Sequence, residues 1–294
     1  MLSVIIPARN EEAAIKQTID DVRAALDGAK IAHEIIVVDD GSTDRTGELA
    51  RAAGVRVLRH PDSGGYGKSL KDGILQAKHD LIAITDGDGT YPTQRLPELV
   101  RLVAGDGYDM AVGARTGKEY RGALLKMPAR RAFVWLGEYA TGTKIPDINS
   151  GLRVFRKELV MRYFNTIGDK FSFTTTITLA ALLNGYFVKY IPIDYYKRVG
   201  KSYVRYWRDS LRSLQIIVEN ILYYNPLKLF LLLVNGLLLL ALAGGAVYFT
   251  CSSRVPLLAG FCGMLSVGCF VTAFIVAAIG LAADLGRMVG RDRR

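Results

Sequence analysis

Three observations predict an α/β fold that ends in a membrane-embedded helical hairpin. Short β-branched runs alternate with segments of helical period over the first 200 or so residues, three of those runs stop in clusters of acidic and amide side chains, and charge disappears from two long stretches near the end.

The strand candidates come first. The runs LSVIIP (2–7), HEIIVVDD (33–40), VRVLRH (55–60), LIAITD (81–86) and DMAVGA (109–114) are short and nearly all apolar before their polar ends. That is how strands covered on both faces read in a largely parallel sheet. Between them, EEAAIKQTIDDVRAAL (11–26), DRTGELARAA (44–53) and YGKSLKDGILQA (66–77) carry apolar residues at helical spacing. In such sheets ligands bind beyond the carboxyl ends of the strands. PARNEE follows the first strand, DDGSTD the second and DGDG the fourth, so polar groups converge on one rim.

The rim residues Asp86 and Asp88 are two apart, with Gly87 and Gly89 beside them. Two adjacent carboxylates repel unless a cation lies between them, and a hard divalent ion with positions left for phosphate oxygens suits the pair. A calcium hand is excluded, because it needs Asp or Asn at 90, Gly at 91 and Glu at 97, where the chain has Thr90, Tyr91 and Pro97. An acidic surface turn is the plain alternative. A P-loop at Gly67, Lys68 and Ser69 fails because Asp62 stands where the pattern requires glycine.

The charge-free stretches run from Leu229 to Phe249 and from Val255 to Ala283. Each exceeds the roughly 20 residues that cross a hydrocarbon core of about 30 Å. Seven basic residues precede them (Lys197, Arg198, Lys201, Arg205, Arg208, Arg212 and Lys228) and four arginines follow, whereas the intervening loop has Arg254. The positive-inside rule then places the N-terminal part and the C-terminal tail in the cytoplasm. No cleavable leader is expected, since MLSVIIP stops at Pro7. Cys251, Cys262 and Cys269 all lie in or beside the membrane runs, which leaves the rest without a disulfide framework or thiolate metal site. Leading into the membrane, Val204, Trp207, Leu211, Leu214, Val218 and Ile221 recur at helical spacing, with Arg205, Arg208 and Arg212 off that line. This is the pattern of a helix lying in the membrane interface, packing its apolar stripe on the catalytic domain, or doing both. The net charge of +10 therefore calls for no nucleic acid partner. Asn235, Gly236, Gly244 and Gly245 suit either packing within the hairpin or a homo-oligomer.

Taken in order, SVIIPARNEE, IVVDDGSTDRT, GGYGKSLKDGI, TDGDGTYP, VGAR, DINSGLRVFRK and KRVGKSY resemble family 2 glycosyltransferases. The similarity is greatest to the branch of dolichyl-phosphate mannose and polyprenyl-phosphate glucose synthases. The resemblance implies a GT-A, Rossmann-like nucleotide-sugar-binding domain, a nucleotide-sugar donor, a polyprenyl phosphate acceptor and Mg²⁺ or Mn²⁺. It implies that Pro7, Asn10, Glu11, Asp39 and Asp40 cradle the nucleoside and that Asp86 and Asp88 hold the metal against the diphosphate. It also brings Asp147 and Ser150 near the reaction centre, with Asp147 positioning or meeting sugar hydroxyls. The chain departs from the family's usual residues at Arg9, Lys68 and Thr90.

A polyprenyl phosphate is mostly dianionic at neutral pH and attacks without a strong general base. It needs cations to place it. The candidates are Arg115, Arg131 (or its neighbour Arg130), Arg198 and Lys201. The expected layout is a cytoplasmic GT-A catalytic domain over 1–200, an amphipathic helix over 201–226, two transmembrane helices over 227–284 and a basic tail over 285–294. The expected activity is inverting transfer of one hexose from UDP-glucose, another UDP-hexose or GDP-mannose to dolichyl or undecaprenyl phosphate. The rival readings are a glycolipid or polysaccharide synthase, disfavoured by the lack of a Q-x-x-R-W motif, and a non-catalytic nucleotide-sugar-binding scaffold.

Overall fold

The computed structural model describes residues 1–117, 127–168, 173–198, 206–251 and 255–291. It divides into two compact units, Met1–Ile217 and Val218–Arg294.

The first unit is built on a seven-stranded sheet: β1 (Leu2–Ala8), β2 (His33–Asp39), β3 (Arg56–Arg59), β4 (Leu81–Ile84), β5 (Met110–Thr116), β6 (Arg153–Arg156) and β7 (Val188–Asp194). The spatial order is β3-β2-β1-β4-β6-β5-β7. Every residue of β1 is buried, and β1 pairs in parallel with β2 and β4, which accounts for its continuous apolar run. The central exception to the parallel pattern is β6, antiparallel to both β4 and β5.

Helices cover both faces of the sheet. Because side chains alternate across a strand, β1 sends Val4 and Ile6 to one face and Ile5 to the other. Val4 and Ile6 join Ile15, Ile19, Val22 and Leu26 of α1 (Ile15–Gly28) and Leu99 and Val103 of α4 (Leu96–Ala104). On the second face Ile5 joins Leu70 and Ile74 of α3 (Tyr66–Gln76) and, across the sheet, Phe155 of β6. The short α2 (Thr46–Ala52) lies between β2 and β3. Helices α5 (Met127–Thr141) and α6 (Lys157–Arg162) flank β6 in the chain, and α7 (Phe173–Leu183) adds Phe173 and Ile177 to the second core.

Helix α8 (Tyr206–Tyr224) forms in the expected juxtamembrane stretch. Among its described side chains, Ile217, Asn220, Ile221 and Tyr224 are buried and Leu214 is exposed.

In the second unit, α9 (Pro226–Cys251) and α10 (Pro256–Arg291) form an antiparallel hairpin, and both are long and apolar enough to cross a membrane. Phe230 packs where a side chain at Gly280 would lie, Gly244 faces the Cys262 carbonyl, and Ser266 Oγ donates to the Ala241 carbonyl at 2.6 Å. Gly244 thus serves the hairpin's own packing. Helix α10 continues into the residues expected as a tail. Arg287 there pairs with Asp284 at 2.9 Å and donates to the Tyr224 carbonyl at 2.6 Å, occupying an acceptor that the end of a helix leaves open.

Candidate active site

Three loops meet at the carboxyl rim of β1, β2 and β4. Asn10 follows β1 in the left-handed region, φ 54°, a conformation asparagine tolerates better than most residues. Its N–H donates to Ser42 Oγ at 3.0 Å and its Oδ1 accepts from the Thr43 N–H at 2.8 Å, tying the first loop to the second. The Glu11 N–H donates to Thr46 Oγ1 at 2.8 Å. At the end of β2, the fully buried Asp39 accepts from the Ser42 N–H through Oδ1, while Oδ2 has no hydrogen-bond donor and the Arg59 Nε lies 3.7 Å away.

Asp40 is engaged on every side. Its Oδ1 accepts from the Gly64 N–H at 2.8 Å and pairs with His60 Nδ1 at 2.8 Å, and its Oδ2 accepts from Ser63 Oγ at 2.7 Å and the Gly65 N–H at 3.0 Å. These four bonds match the acceptor capacity of a carboxylate. Burial alone would raise the Asp40 carboxyl, yet His60, Ser63 and the two glycine N–H groups hold it below its ordinary value.

Asp86 and Asp88 stand just beyond β4. Tyr66, the first residue of α3, donates its hydroxyl to Asp86 Oδ1 at 2.9 Å. Thr90 donates Oγ1 to Asp88 Oδ1 at 2.6 Å. The backbone of Gly151 lies so close to Asp86 that a Cβ there would fall 2.7 and 2.8 Å from its two carboxylate oxygens. Burial, reinforced by repulsion from Asp88, pushes the Asp86 carboxyl up to about 6. A cavity of about 490 Å³ adjoins Asp86, Gly89 and Tyr91 and is also lined by Thr18, Gln94 and Tyr196.

A cation reaches these carboxylates from the segment after β7. The Tyr196 N–H donates to the Thr90 carbonyl at 2.9 Å, and the Tyr195 ring packs edge-on against Tyr91 at 5.4 Å. Pinned there, the chain carries Arg198 onto Glu11, with which it makes a charged hydrogen bond, and to within 3.5 Å of Asp88 Oδ2. Burial pushes Glu11 up to about 7. Arg198 pulls the other way, and Asp88 and Asp86 add to the rise.

The remaining wall is the loop before β6. Arg115, at the end of β5, makes a two-pronged pair with Asp147, Nε to Oδ2 at 2.6 Å and a terminal nitrogen to Oδ1 at 2.9 Å, while its guanidinium lies over the Tyr195 ring at 5.3 Å. Although burial opposes it, this pairing holds the Asp147 carboxyl below its ordinary value. Ser150 Oγ donates to the Gly113 carbonyl at 2.6 Å, and the Gly151 N–H donates to the Tyr91 hydroxyl oxygen at 2.7 Å. Arg153 is fully buried and donates to the Ser150 and Thr174 carbonyls and to Thr178 Oγ1. It braces the loop from below.

The sequence and the fold are matched by known proteins. The sequence profile of glycosyl transferase family 2 covers residues 3–164, more than half of the chain. The chain belongs to glycosyl transferase family 2. Two curated relatives come from Haloferax volcanii. One, a low-salt glycan biosynthesis hexosyltransferase, is 32% identical over 74% of this chain and 53% of its own length. The other, a dolichyl-phosphate hexose transferase, is 31% identical over 68% of this chain and 85% of its own. The present chain thus spans about half of the first relative and most of the second. Glucosyl-3-phosphoglycerate synthase from Mycobacterium tuberculosis, solved with Mn²⁺, UDP and glucosyl-3-phosphoglycerate, shares the fold. It has a TM-score of 0.57 and 23% identity, covering 75% of this chain and 78% of its own.

In this family 2 chain the structure gathers Asn10, Glu11, Asp39, Asp40, Asp86, Asp88 and Arg198 at one rim, with Pro7 inside β1, Asp147 and Ser150 on the adjoining loop and Arg115 at the end of β5 paired to it. Arg131 is exposed on α5 and makes no hydrogen bond or ion pair to a described residue of the cluster. Lys201 and the Arg130 side chain lie outside the described residues. Sequence reasoning passed over Tyr66, Gly151 and Arg153. Tyr66 reads as a helix start, Gly151 as a turn and Arg153 as a surface charge, and nothing local signals their long-range contacts.

The donor set also fits a divalent cation. Asp86 and Asp88 offer hard oxygen ligands, and the contact that Arg198 makes with Asp88 shows that this position favours positive charge. Two protein carboxylates would leave positions on such an ion for phosphate oxygens. Thr90 supports Asp88 through its hydroxyl.

Proposed function

We propose that the protein transfers one hexose from a nucleotide sugar to the phosphate of a polyprenol, with inversion, at the cytoplasmic face of a membrane. The observation that carries this reading is the Asp86 and Asp88 pair, met by a cation from the segment that leads towards the hairpin. The name of the dolichyl-phosphate hexose transferase relative supports the acceptor class. The donor is UDP-glucose, another UDP-hexose or GDP-mannose.

Asp39, with an unfilled acceptor oxygen, and Asn10 and Pro7 on the adjoining strand end form the nucleoside side of the site. Asp86 and Asp88 would hold Mg²⁺ or Mn²⁺. When bound, the ion offsets charge on the diphosphate and so improves the leaving group. Arg198, with Lys201 and Arg131, places the acceptor phosphate. Its oxygen forms a bond to the anomeric carbon as the bond from that carbon to the donor's β-phosphate oxygen breaks, and no proton need be removed. Arg115 and Asp147 satisfy each other, so we assign them to fixing the loop and the Tyr195 segment. Asp40 has the same kind of duty on the loop before α3. The layout is a catalytic domain over 1–200, an interfacial helix over 201–226 and a membrane hairpin over 227–284, with the basic end of the chain in the cytoplasm.

The test offers the purified protein short-chain polyprenyl phosphate and a panel of labelled nucleotide sugars, with and without EDTA. A lipid-soluble product from one donor, abolished by EDTA, is expected. Absence of product from every donor, alongside nucleotide binding, would overturn the acceptor assignment.

A further inference from the structure

We propose that Asp40 and Tyr66 act together as positioning residues for the metal ligand Asp86: Asp40 clamps the glycine turn that opens α3, and the turn delivers the Tyr66 hydroxyl to Asp86 Oδ1. The inference deepens the reading of Asp86 as a metal ligand and rests on it.

The geometry forms a continuous chain. Asp40 takes hydrogen bonds from Ser63, Gly64 and Gly65, three consecutive residues, and so fixes the path of the loop. Gly65 has φ 102° and ψ 162°, which side-chain-bearing residues rarely adopt. The helix begins at the next residue, so the direction in which Tyr66 leaves the backbone is set by the turn. Its hydroxyl then meets Asp86 at 2.9 Å. The Gly151 backbone, itself held through its N–H by Tyr91, also lies against this carboxylate.

A carboxylate tethered by the Tyr66 hydroxyl and packed against the Gly151 backbone presents one orientation to an incoming cation. Loss of the phenol oxygen removes a hydrogen bond that fixes the orientation of this carboxylate. Partners that orient a metal ligand typically alter metal affinity by about 10–100-fold. His60 extends the chain, with Nδ1 on Asp40 at 2.8 Å and Nε2 on Asp72 at 3.0 Å.

The experiment measures binding of Mn²⁺ alone to the detergent-solubilised full chain by the EPR signal of the free ion. The proteins compared are wild type, Tyr66→Phe, Ser63→Ala, Asp40→Asn, the two double variants with Tyr66→Phe, and Asp86→Asn. Tyr66→Phe is expected to weaken binding about 10-fold. Ser63→Ala removes one of the four Asp40 bonds and reports on the clamp even where Asp40→Asn fails to fold. Ser63→Ala and Asp40→Asn are expected to weaken binding when Tyr66 is present and to add nothing in the Tyr66→Phe background, a non-additivity that general destabilisation does not produce.

Wild-type affinity in Tyr66→Phe, with binding lost in Asp86→Asn, would overturn the proposal while leaving the metal site standing. So would an effect of Ser63→Ala that persists undiminished in the Tyr66→Phe background. Wild-type affinity in Asp86→Asn would instead remove the metal assignment and the proposal with it.

Discussion

Replacing Gly151 by alanine places a methyl carbon 2.7 Å from Asp86 Oδ1, 2.8 Å from Oδ2 and 2.9 Å from Cγ. Ordinary contact begins at 3.4 Å, so the carboxylate and the loop must separate by about 0.7 Å. The loop resists, because the Gly151 N–H is bonded to Tyr91 and the neighbouring Ser150 to the Gly113 carbonyl. Asp86 resists less, since its visible tether is the Tyr66 hydroxyl, and it is the group expected to move. Overpacking of this kind costs about 1–3 kcal/mol of stability, so the variant remains folded. A displacement approaching 1 Å in a group that positions reactants costs about 10²-fold in rate. Initial transfer rates titrated with Mn²⁺ should therefore show kcat/KM falling by about two orders of magnitude and the Mn²⁺ requirement rising. Gly28→Ala, whose Cβ meets nothing within 4 Å, is the control. Wild-type rates and Mn²⁺ affinity in Gly151→Ala would refute the placement of Asp86 on which the account depends.

Four further outcomes follow from the same geometry. Asp147→Asn strips Arg115 of its ionic partner and should cost about 3 kcal/mol in denaturant unfolding, with part of the loss recovered in the Arg115→Gln, Asp147→Asn double variant; an unchanged midpoint would contradict the pairing. Arg198→Gln removes the cation that competes for Asp88, so Mn²⁺ binding without donor should tighten several-fold while transfer slows. Weaker binding would argue against that competition. With Asp86 and Glu11 raised in the folded state to about 6 and 7, their stabilising contribution is complete below their ordinary values and is lost as pH rises through 6 to 7. The rise in melting temperature on adding Mn²⁺ should accordingly be large at pH 8 and small at pH 5, and the reverse trend would exclude Asp86 as a titrating ligand. In a cysteine-free background, Ser253→Cys should react with a membrane-impermeant maleimide applied from the non-cytoplasmic side, and labelling from the cytoplasmic side alone would invert the topology.

Much of the first unit is legible in the sequence because buried parallel strands announce themselves as continuous apolar runs. The runs at 2–7, 33–40, 55–60, 81–86 and 109–114 coincide with β1 to β5 to within a few residues. Strand β6 was hidden inside a motif. Its four residues include two arginines, and its antiparallel partners lie about 40 and 70 residues away in sequence, so no local period marks it. Arg153 shows why: a buried guanidinium satisfied by carbonyls and a threonine hydroxyl looks in sequence like any exposed charge. The acidic residues of the rim were legible as a group, but their division of labour was not. Asp39 keeps an acceptor open and Asp40 gives all of its acceptors to the chain, although the two are adjacent and identical. Apolar spacing identifies an amphipathic helix, whereas the side actually covered depends on what packs against it, as the buried Asn220 shows.

The central claim is that a lipid phosphate, already ionised, is the nucleophile and that the site needs no general base. The most direct measurement compares polyprenyl phosphate with the free polyprenol of the same length as acceptors for the protein in liposomes, supplied with its nucleotide sugar and Mn²⁺. The account predicts sugar transfer to the phosphate alone, at a rate that tracks the dianion as pH rises through about 6. Transfer to the free alcohol at a comparable rate would contradict it.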